Sequence, residues 1–389
     1  MNSQFFDSRF PGTADLKKQA KKRIPRFAYE YIKGGCHEEI GLLRNRQDIQ
    51  AVQLRSELLK PFSGSNLEVE LFGHTYSAPF GVAPVGLQGL MWPKAPEILA
   101  KAAAEKNIPF VLSTVSSAKL EDIAELSEGK AWYQLYNPTD PAIREDLLKR
   151  ITAAQYPVLV VTVDVPTFGY RPRDIRNGLA MPPKMSLSNI CQMLARPAWL
   201  LATAKAGKPE MQTLKPYMPK GMPTDQLAAF MNKTVMGRVD MEGLKPIRDF
   251  WKGPLVIKGL INEKDVASAI SLGADAVVMS NHGARQLDPG ESPVPALKKA
   301  ARSYGDKIKI FMDSGINSGS NIASAMACGA DFTFLGRSFV YGVGALGDKG
   351  GIHTINMLTT QLTQVMNQLG CATVADLPNC LVDDSNESV

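Results

Sequence analysis

The chain has 389 residues, 44% of them hydrophobic and 21% charged, with a formal net charge of +6. This is the balance of an ordinary globular protein with ample core, and it excludes a disordered chain; no uninterrupted run of about 18 apolar residues is present to cross a membrane. The N-terminal MNSQFFDSRFPG lacks the basic-then-apolar pattern of a secretory leader, so a cytoplasmic location is expected.

Cys36, Cys191, Cys328, Cys371 and Cys380 form no C-x-x-C pair, and His37, His74, His282 and His353 make no H-x-x-x-H pair. Neither a disulfide framework nor a metal ion is expected. The charge is concentrated in residues 176–238. There Arg176, Lys184, Arg196, Lys205, Lys208, Lys215, Lys220, Lys233 and Arg238 stand against Glu210 and Asp225, a net of +7 that leaves the rest nearly neutral. Such a segment suits an anionic surface or substrate, and nucleic acid is not expected as a partner.

In chain order, residues 1–24 carry Lys17, Lys18, Lys21, Lys22 and Arg23, which predict a short solvated helix. From Pro25 the stretch RFAYEYIKGG places Phe27, Tyr31 and Ile32 at near-helical spacing before Gly34-Gly35 stops the helix. Residues 67–76, LEVELFGHTY, alternate and turn at Phe72-Gly73, which predicts a hairpin. Then come eight short apolar runs, at 79–85, 110–115, 132–136, 158–163, 255–258, 276–280, 308–312 and 332–335. Except between the fourth and fifth, where over 90 residues intervene, they alternate with helical patterns at spacings of roughly 20 to 30 residues, the signature of an α/β (β/α)8 barrel. The chain thus reads as one domain, 1–389, with the barrel over about 79–345 and the basic segment inserted between the fourth and fifth strands.

Barrel chemistry sits at the carboxyl ends of strands, where loops vary while strands fix their position. The sixth run opens there into Ser280-Asn281-His282-Gly283-Ala284-Arg285-Gln286-Leu287-Asp288. The seventh ends MDSGINSGS, giving Asp313, Gly315 and Gly319; the eighth ends FLGRS, giving Gly336 and Arg337. These are the two strand ends where barrels bind phosphate, and Arg337 can pair with it bidentately. Lys258 closes the fifth run, where a buried ammonium needs a negative partner. Arg171 and Arg285 are planar, permanently charged forks suited to a carboxylate.

The stretch from Ser280 to Asp288 closely resembles the active-site signature of the FMN-dependent α-hydroxy acid oxidases and dehydrogenases, and the likeness runs from about Pro25 to Gly370. It implies FMN as cofactor and oxidation of an L-2-hydroxy acid, lactate- or mandelate-like, to the 2-oxo acid. It implies His282 as base and Asp164 as the group that orients it. Tyr136 would bond the substrate hydroxyl, and Tyr31, Arg171 and Arg285 would anchor the carboxylate, with Arg171 at the family spacing of seven from Asp164. For the flavin it implies the backbone of Pro84, Val85 and Gly86 near the ring, polar contacts from Ser113, Gln134, Thr162 and Ser280, Lys258 near N1, and Asp313, Gly315, Gly336 and Arg337 toward the phosphate. The hairpin would cap the bottom of the barrel. Whether the α-hydrogen leaves as a proton or as a hydride, His282 serves, since it takes the proton from carbon in one scheme and from oxygen in the other. One departure stands out: the family has Arg two residues after Gly315, and this chain has Asn317 and then Ser318, which is expected to weaken phosphate or flavin binding.

Val115 stands where other members carry a bulky Trp, which leaves room for a 2-substituent larger than that of glycolate; Phe168 adds an aromatic wall. The insertion holds eight of the sixteen Met residues, and residues 187–201, LSNICQMLARPAWLL, set apolar side chains around Trp199 beside Arg196. That character suits a membrane interface. Membrane-bound members carry an anchoring insertion here, and the run Leu90-Met91-Trp92-Pro93-Lys94 and Gly86 resemble them. The resemblance therefore implies a homotetramer lying peripherally on the cytoplasmic membrane and passing electrons to a quinone. The alternatives are a lid whose positive charge draws in substrate, an oxidase that reduces oxygen to hydrogen peroxide, an FMN-barrel isomerase acting on a diphosphate, and a flavin-binding protein without catalysis. The full set of His282, Asp164, Arg171, Arg285 and Lys258 speaks against the isomerase and the flavin-binding protein, and the character of the insertion favours the dehydrogenase over the oxidase.

Overall fold

Apolar runs too short for a helix become parallel strands, and eight of them close on one another. The computed structural model describes residues 5–179, 184–222, 226–235 and 237–382; within the basic insertion, 180–183, 223–225 and 236, with Met181, Asp225 and Met236, lie outside the described residues. Three helices, α1 (Thr13–Arg23), α2 (Arg26–Lys33) and α3 (Ile40–Ala51), precede the hairpin of β1 (Val69–Leu71) and β2 (His74–Tyr76). The barrel strands are β3 (Phe80–Val82), β4 (Val111–Ser113), β5 (Trp132–Tyr136), β6 (Leu159–Thr162), β7 (Leu255–Leu260), β8 (Ala276–Met279), β9 (Lys309–Met312) and β10 (Phe332–Leu335). They pair in sequence order from β4 to β10, β10 pairs β3, and a parallel bridge from Val82 to Phe110 closes the ring. With helices packed outside, this is the expected (β/α)8 barrel.

The period of two along a strand decides what the barrel interior holds. Val111, Trp132, Val160, Val256, Val278, Phe311 and Phe334 point inward and are all buried. Two residues further along the same strands come Ser113, Gln134, Thr162, Lys258, Ser280, Asp313 and Gly336. The interior therefore turns from apolar to polar toward the carboxyl ends. At the other end the hairpin is a plug: the Phe72 ring lies 5.8 Å from that of Trp132, whose Nε1 donates to Tyr76 OH at 3.0 Å.

Two expectations need correction. The basic stretch before Pro25 forms the expected helix with Lys18, Lys21 and Lys22 in solvent, but it is not solvated all round, because Leu16, Ala20 and Ile24, spaced by four, are fully buried against helix Arg337–Leu346. Gly344 permits the approach: a Cβ there would already stand 3.2 Å from that of Ala20. In the insertion, residues 187–201 fold as two helices, Leu187–Leu194 and Pro197–Ala206, and Trp199 does not face outward. It is 3% exposed, lies edge-on to Phe27 at 6.0 Å and donates through Nε1 to Leu90 O, since a large aromatic with one donor is best satisfied on an apolar shelf with a carbonyl at its edge.

The extreme N-terminal strand of chain is tied down by His353, which is fully buried in helix Gly350–Leu369. Its Nδ1 accepts from Asp7 N (3.0 Å), so Nε2 carries the proton and donates to Phe10 O (2.9 Å). Burial depresses the pKa of this ring below 6.5, more than Phe10 O and Asp7 restore it. The unfolded chain then binds more protons than the folded one as pH falls through 6.5, so this clip is fully present above that value and lost below it. The protection of the amides of residues 5–10, taken as the exchange rate relative to the intrinsic rate at each pH, should fall between pH 7.5 and pH 5, and unchanged protection would contradict the clip.

Candidate active site

The site grows from the polar layer at the carboxyl ends. Lys258 ends its inward-facing series on β7 with its ammonium 2.8 Å from Asp313 Oδ2, and it donates to Ser280 Oγ at 2.9 Å. Asp313 is thus the negative partner that the buried lysine requires. Burial works against the charge on Lys258, but Asp313 and Asp164 outweigh it and raise its pKa above the usual value. Ser280 Oγ also accepts from His282 N at 3.1 Å, which couples the lysine to the loop that follows β8.

That loop winds through left-handed backbone, with φ of +57° at His282, +64° at Gly283 and +57° at Ala284. The turn swings the imidazole over the barrel, where Nδ1 lies 2.9 Å from Asp164 Oδ1. Although burial opposes ionisation of Asp164, His282 and then Lys258 hold its pKa below the carboxylate norm. An ionised carboxylate only accepts, so Nδ1 carries the hydrogen and Nε2 keeps its lone pair for the cavity. Asp164 itself fits because β7 bulges at Gly259, where φ is +107° and a Cβ would stand 2.5 Å from Asp164 Cγ. Gly259→Ala should displace the carboxylate, costing about 2 kcal/mol or more of stability and about 100-fold in turnover through misplacement. Melting temperature and kcat together check this; a variant with normal kcat would refute it.

Two guanidiniums face this pair. Arg285 donates through Nη1 to Tyr31 O (2.6 Å) and Gly34 O (2.9 Å) and lies 5.0 Å from the Tyr31 ring centroid. Arg171 is held by Arg285 O (3.2 Å), Gln286 Oε1 (3.0 Å) and, more loosely, Asp174 at 3.7 Å. Burial, followed by repulsion from Arg285, brings the pKa of Arg171 down to about 10, so a buried anion between the two would be welcome. Tyr136 reaches the same space with its phenol pushed up by burial and by Asp164, so it stays a donor.

One cavity of about 1140 Å³ is lined by Tyr31, Pro84, Val85, Gly86, Gln134, Tyr136, Thr162, Arg171, Lys258, His282, Arg285, Asp313, Gly315, Gly336 and Arg337. Ser113 and Ser280 stand behind that lining: Ser113 Oγ donates to Gln134 Oε1 at 3.0 Å, and Ser280 serves Lys258 and His282. Arg337 is a clip as well as a cation, donating to Ile32 O, Gly34 O and Gly283 O through Nε and Nη2. Burial, then Arg285, lowers its pKa to about 10. The residues fit a flavin. Gln134 Nε2 and Thr162 Oγ1 are buried donors without partners on the cavity floor, which a polar ring edge would satisfy, and Lys258 stands beside them.

Several contributors have no local signal in the sequence. Asn45 of α3 and Asn281 exchange amide hydrogen bonds at 2.8 and 2.6 Å across 236 residues. Asp288, the last residue of the signature, accepts from Gly41 N and Glu38 N and so caps α3. Arg173 and Glu39 pair bidentately at 2.5 and 2.8 Å, which joins α3 to the helix that follows Arg171. Met211, Met231 and Val235 of the insertion form part of the cavity wall.

The chain belongs to the FMN-dependent dehydrogenase family, whose profile matches residues 20–384. It is 37% identical over 368 residues to an L-lactate dehydrogenase of Vibrio parahaemolyticus, covering 94% of this chain and 96% of that one. Among solved structures it resembles the monotopic membrane protein (S)-mandelate dehydrogenase with a TM-score of 0.91 at 32% identity, covering 97% and 100% of the two chains. A mandelate oxidase variant follows the same fold with a TM-score of 0.78 at 27% identity, over 95% and 97%.

Proposed function

We propose that the protein oxidises an L-2-hydroxy acid of lactate or mandelate type and passes the electrons to a membrane quinone. The observation that carries the reaction is the Asp164–His282 pair facing Arg171 and Arg285 across one cavity. The two guanidiniums and Tyr31 hold the carboxylate, Tyr136 bonds the 2-hydroxyl, and His282 Nε2 accepts the proton while Asp164 stabilises the resulting imidazolium. FMN, held by Lys258, Gln134 and Thr162 at the ring and by the loops after β9 and β10 at the phosphate, supplies the two-electron sink. The 2-substituent meets Val115, Val165, Met231 and Val235, an apolar wall with room for more than a hydrogen.

The membrane reading rests on one helix. On Leu187–Leu194 the exposed Leu187 (81%), Ile190 (42%), Cys191 and Leu194 (65%) fall at i, i+3, i+4 and i+7, a single apolar face turned to solvent. Leu201 continues it, and Lys184, Arg196 and Lys205 flank it, as an interfacial helix on anionic lipid requires. No helix of the described residues is long and apolar enough to span a bilayer.

Anaerobic mixing of the yellow protein with L-lactate, (S)-mandelate and glycolate tests the chemistry. Bleaching of the flavin band ranks the substrates, and reoxidation by a quinone faster than by air names the acceptor. No bleaching by any of the three would overturn the reading; faster reoxidation by air would make it an oxidase. Leu187→Asp/Leu194→Asp should abolish co-sedimentation with phosphatidylglycerol vesicles while turnover with a soluble dye acceptor persists.

A further inference from the structure

The loop after β9, DSGINSG over 313–319, contains no cation. Asn317 does not offer its side chain outward either, since its Nδ2 donates to Gly315 O at 2.7 Å. Yet Lys17, Lys33, Arg46 and Arg337 line the same cavity as Ser314, Gly315, Asn317 and Ser318. Among the described residues, none of these four cations forms a salt bridge.

The N-terminal segment delivers three of them, and its packing shows where. Thr13 Oγ1 donates to Asn317 O at 2.6 Å, which docks the first turn of α1 on this loop. Lys17 follows one turn later on the same face of α1. Its ammonium lies 5.9 Å from the Tyr341 ring centroid, and Tyr341 is itself one turn beyond Arg337. From the other side α3 presses on Gly315, where φ is +93° and a Cβ would come within 2.7 Å of Asn45 O; Arg46 is the next residue. Lys17 is half-buried, and its pKa is lowered by burial and then by Lys33, Arg337 and Arg46. Like charges gathered at a partly desolvated wall repel one another unless an anion sits among them. Two helices, Gly319–Ala327 and Arg337–Leu346, also begin at this wall and turn their amino ends toward it.

We propose that Lys17, with Arg46 beside it, binds the phosphate of FMN, so that the N-terminal helices supply the positive charge that the 313–319 loop lacks. The inference rests on FMN lying with its phosphate at this loop. It makes docking of α1 and retention of the cofactor one event, because Lys17 reaches the phosphate only while Thr13 is seated on Asn317.

The test compares holoenzyme of wild type, Lys17→Ala, Arg46→Ala, the double variant and Lys17→Ala/Asn317→Arg. Release of FMN on dilution is followed by recovery of flavin fluorescence, and riboflavin binding to the stripped proteins is measured by quenching. Lys17→Ala should weaken FMN retention by about 10-fold, the scale of one charge-assisted hydrogen bond, and the double variant by more. Riboflavin, which has no phosphate, should bind all of them alike, and Asn317→Arg should restore most of the FMN affinity lost in Lys17→Ala. Unchanged FMN release in the double variant would overturn the proposal, as would an equal loss of FMN and riboflavin, which would mark Lys17 as merely structural. Wild type that holds no FMN would instead overturn the cofactor's placement, a result distinct from either.

Discussion

His282→Ala protein should still be yellow and folded, yet its flavin should bleach with an L-2-hydroxy acid about 10³-fold more slowly than wild type. The size follows from what is removed: a positioned base contributes roughly 10² to 10⁴ to a proton transfer. Asp164→Asn should approach the same loss for a different reason. An amide can donate to Nδ1, which would leave the imidazole hydrogen on Nε2 and turn the base away from its task. Because the two side chains act as one unit joined at 2.9 Å, the double variant should lose little beyond either single one. Stopped-flow reduction under anaerobic conditions measures all three. Additive losses would show that the pair does not work together, and less than a 10-fold loss in His282→Ala would remove it from the chemistry. The carboxylate has a stability signature too. Its folded pKa is depressed, so the stability it contributes is present above 3.8 and is lost as pH falls through that region.

Much of this architecture is legible in the amino-acid sequence because barrels write their strands plainly. A run such as AVVM at 276–279 is too short for a helix and is followed at once by turn residues, so both the strand and the functional loop at its end can be placed. Lys258 and Asp313 can be placed at the ends of such runs, whereas Gln134, Tyr136 and Thr162 are marked only by the family resemblance, and the alternation of facing along each strand explains why they reach the site. What the sequence does not show is contact between distant segments. Leu16, Ala20 and Ile24 have helical spacing, but their partner, helix Arg337–Leu346, lies over 300 residues away, and the five basic residues around them suggest solvent instead. Trp199 is likewise a buried anchor whose shelf, Phe27, comes from α2. Gly259 is invisible in the sequence because nothing local distinguishes a glycine that a carboxylate 95 residues earlier has made obligatory.

Lys258→Met should be the most damaging single change in the barrel interior. The lysine and Asp313 are 6% and 9% exposed, so deleting the cation leaves a buried carboxylate with the Ser314 hydroxyl, which donates to its Oδ1 at 2.8 Å, as its remaining side-chain partner. Breaking a buried ion pair from one side costs about 3 to 5 kcal/mol, whereas replacing both partners with neutral groups is far milder. Lys258→Met/Asp313→Asn should therefore regain most of the melting temperature lost in Lys258→Met. Flavin retention should not recover with it, because Gln134 and Thr162 would keep their place at the ring while the cation beside them on the cavity floor would be gone. That separation of stability from cofactor affinity decides what the lysine is for. If the double variant regains both, the pair is a structural rivet and the ring edge needs no charge there. If it regains stability alone, Lys258 is held in the barrel by Asp313 so that its charge can meet the flavin, and the desolvation that both groups endure is the cost of placing a cation where water cannot follow.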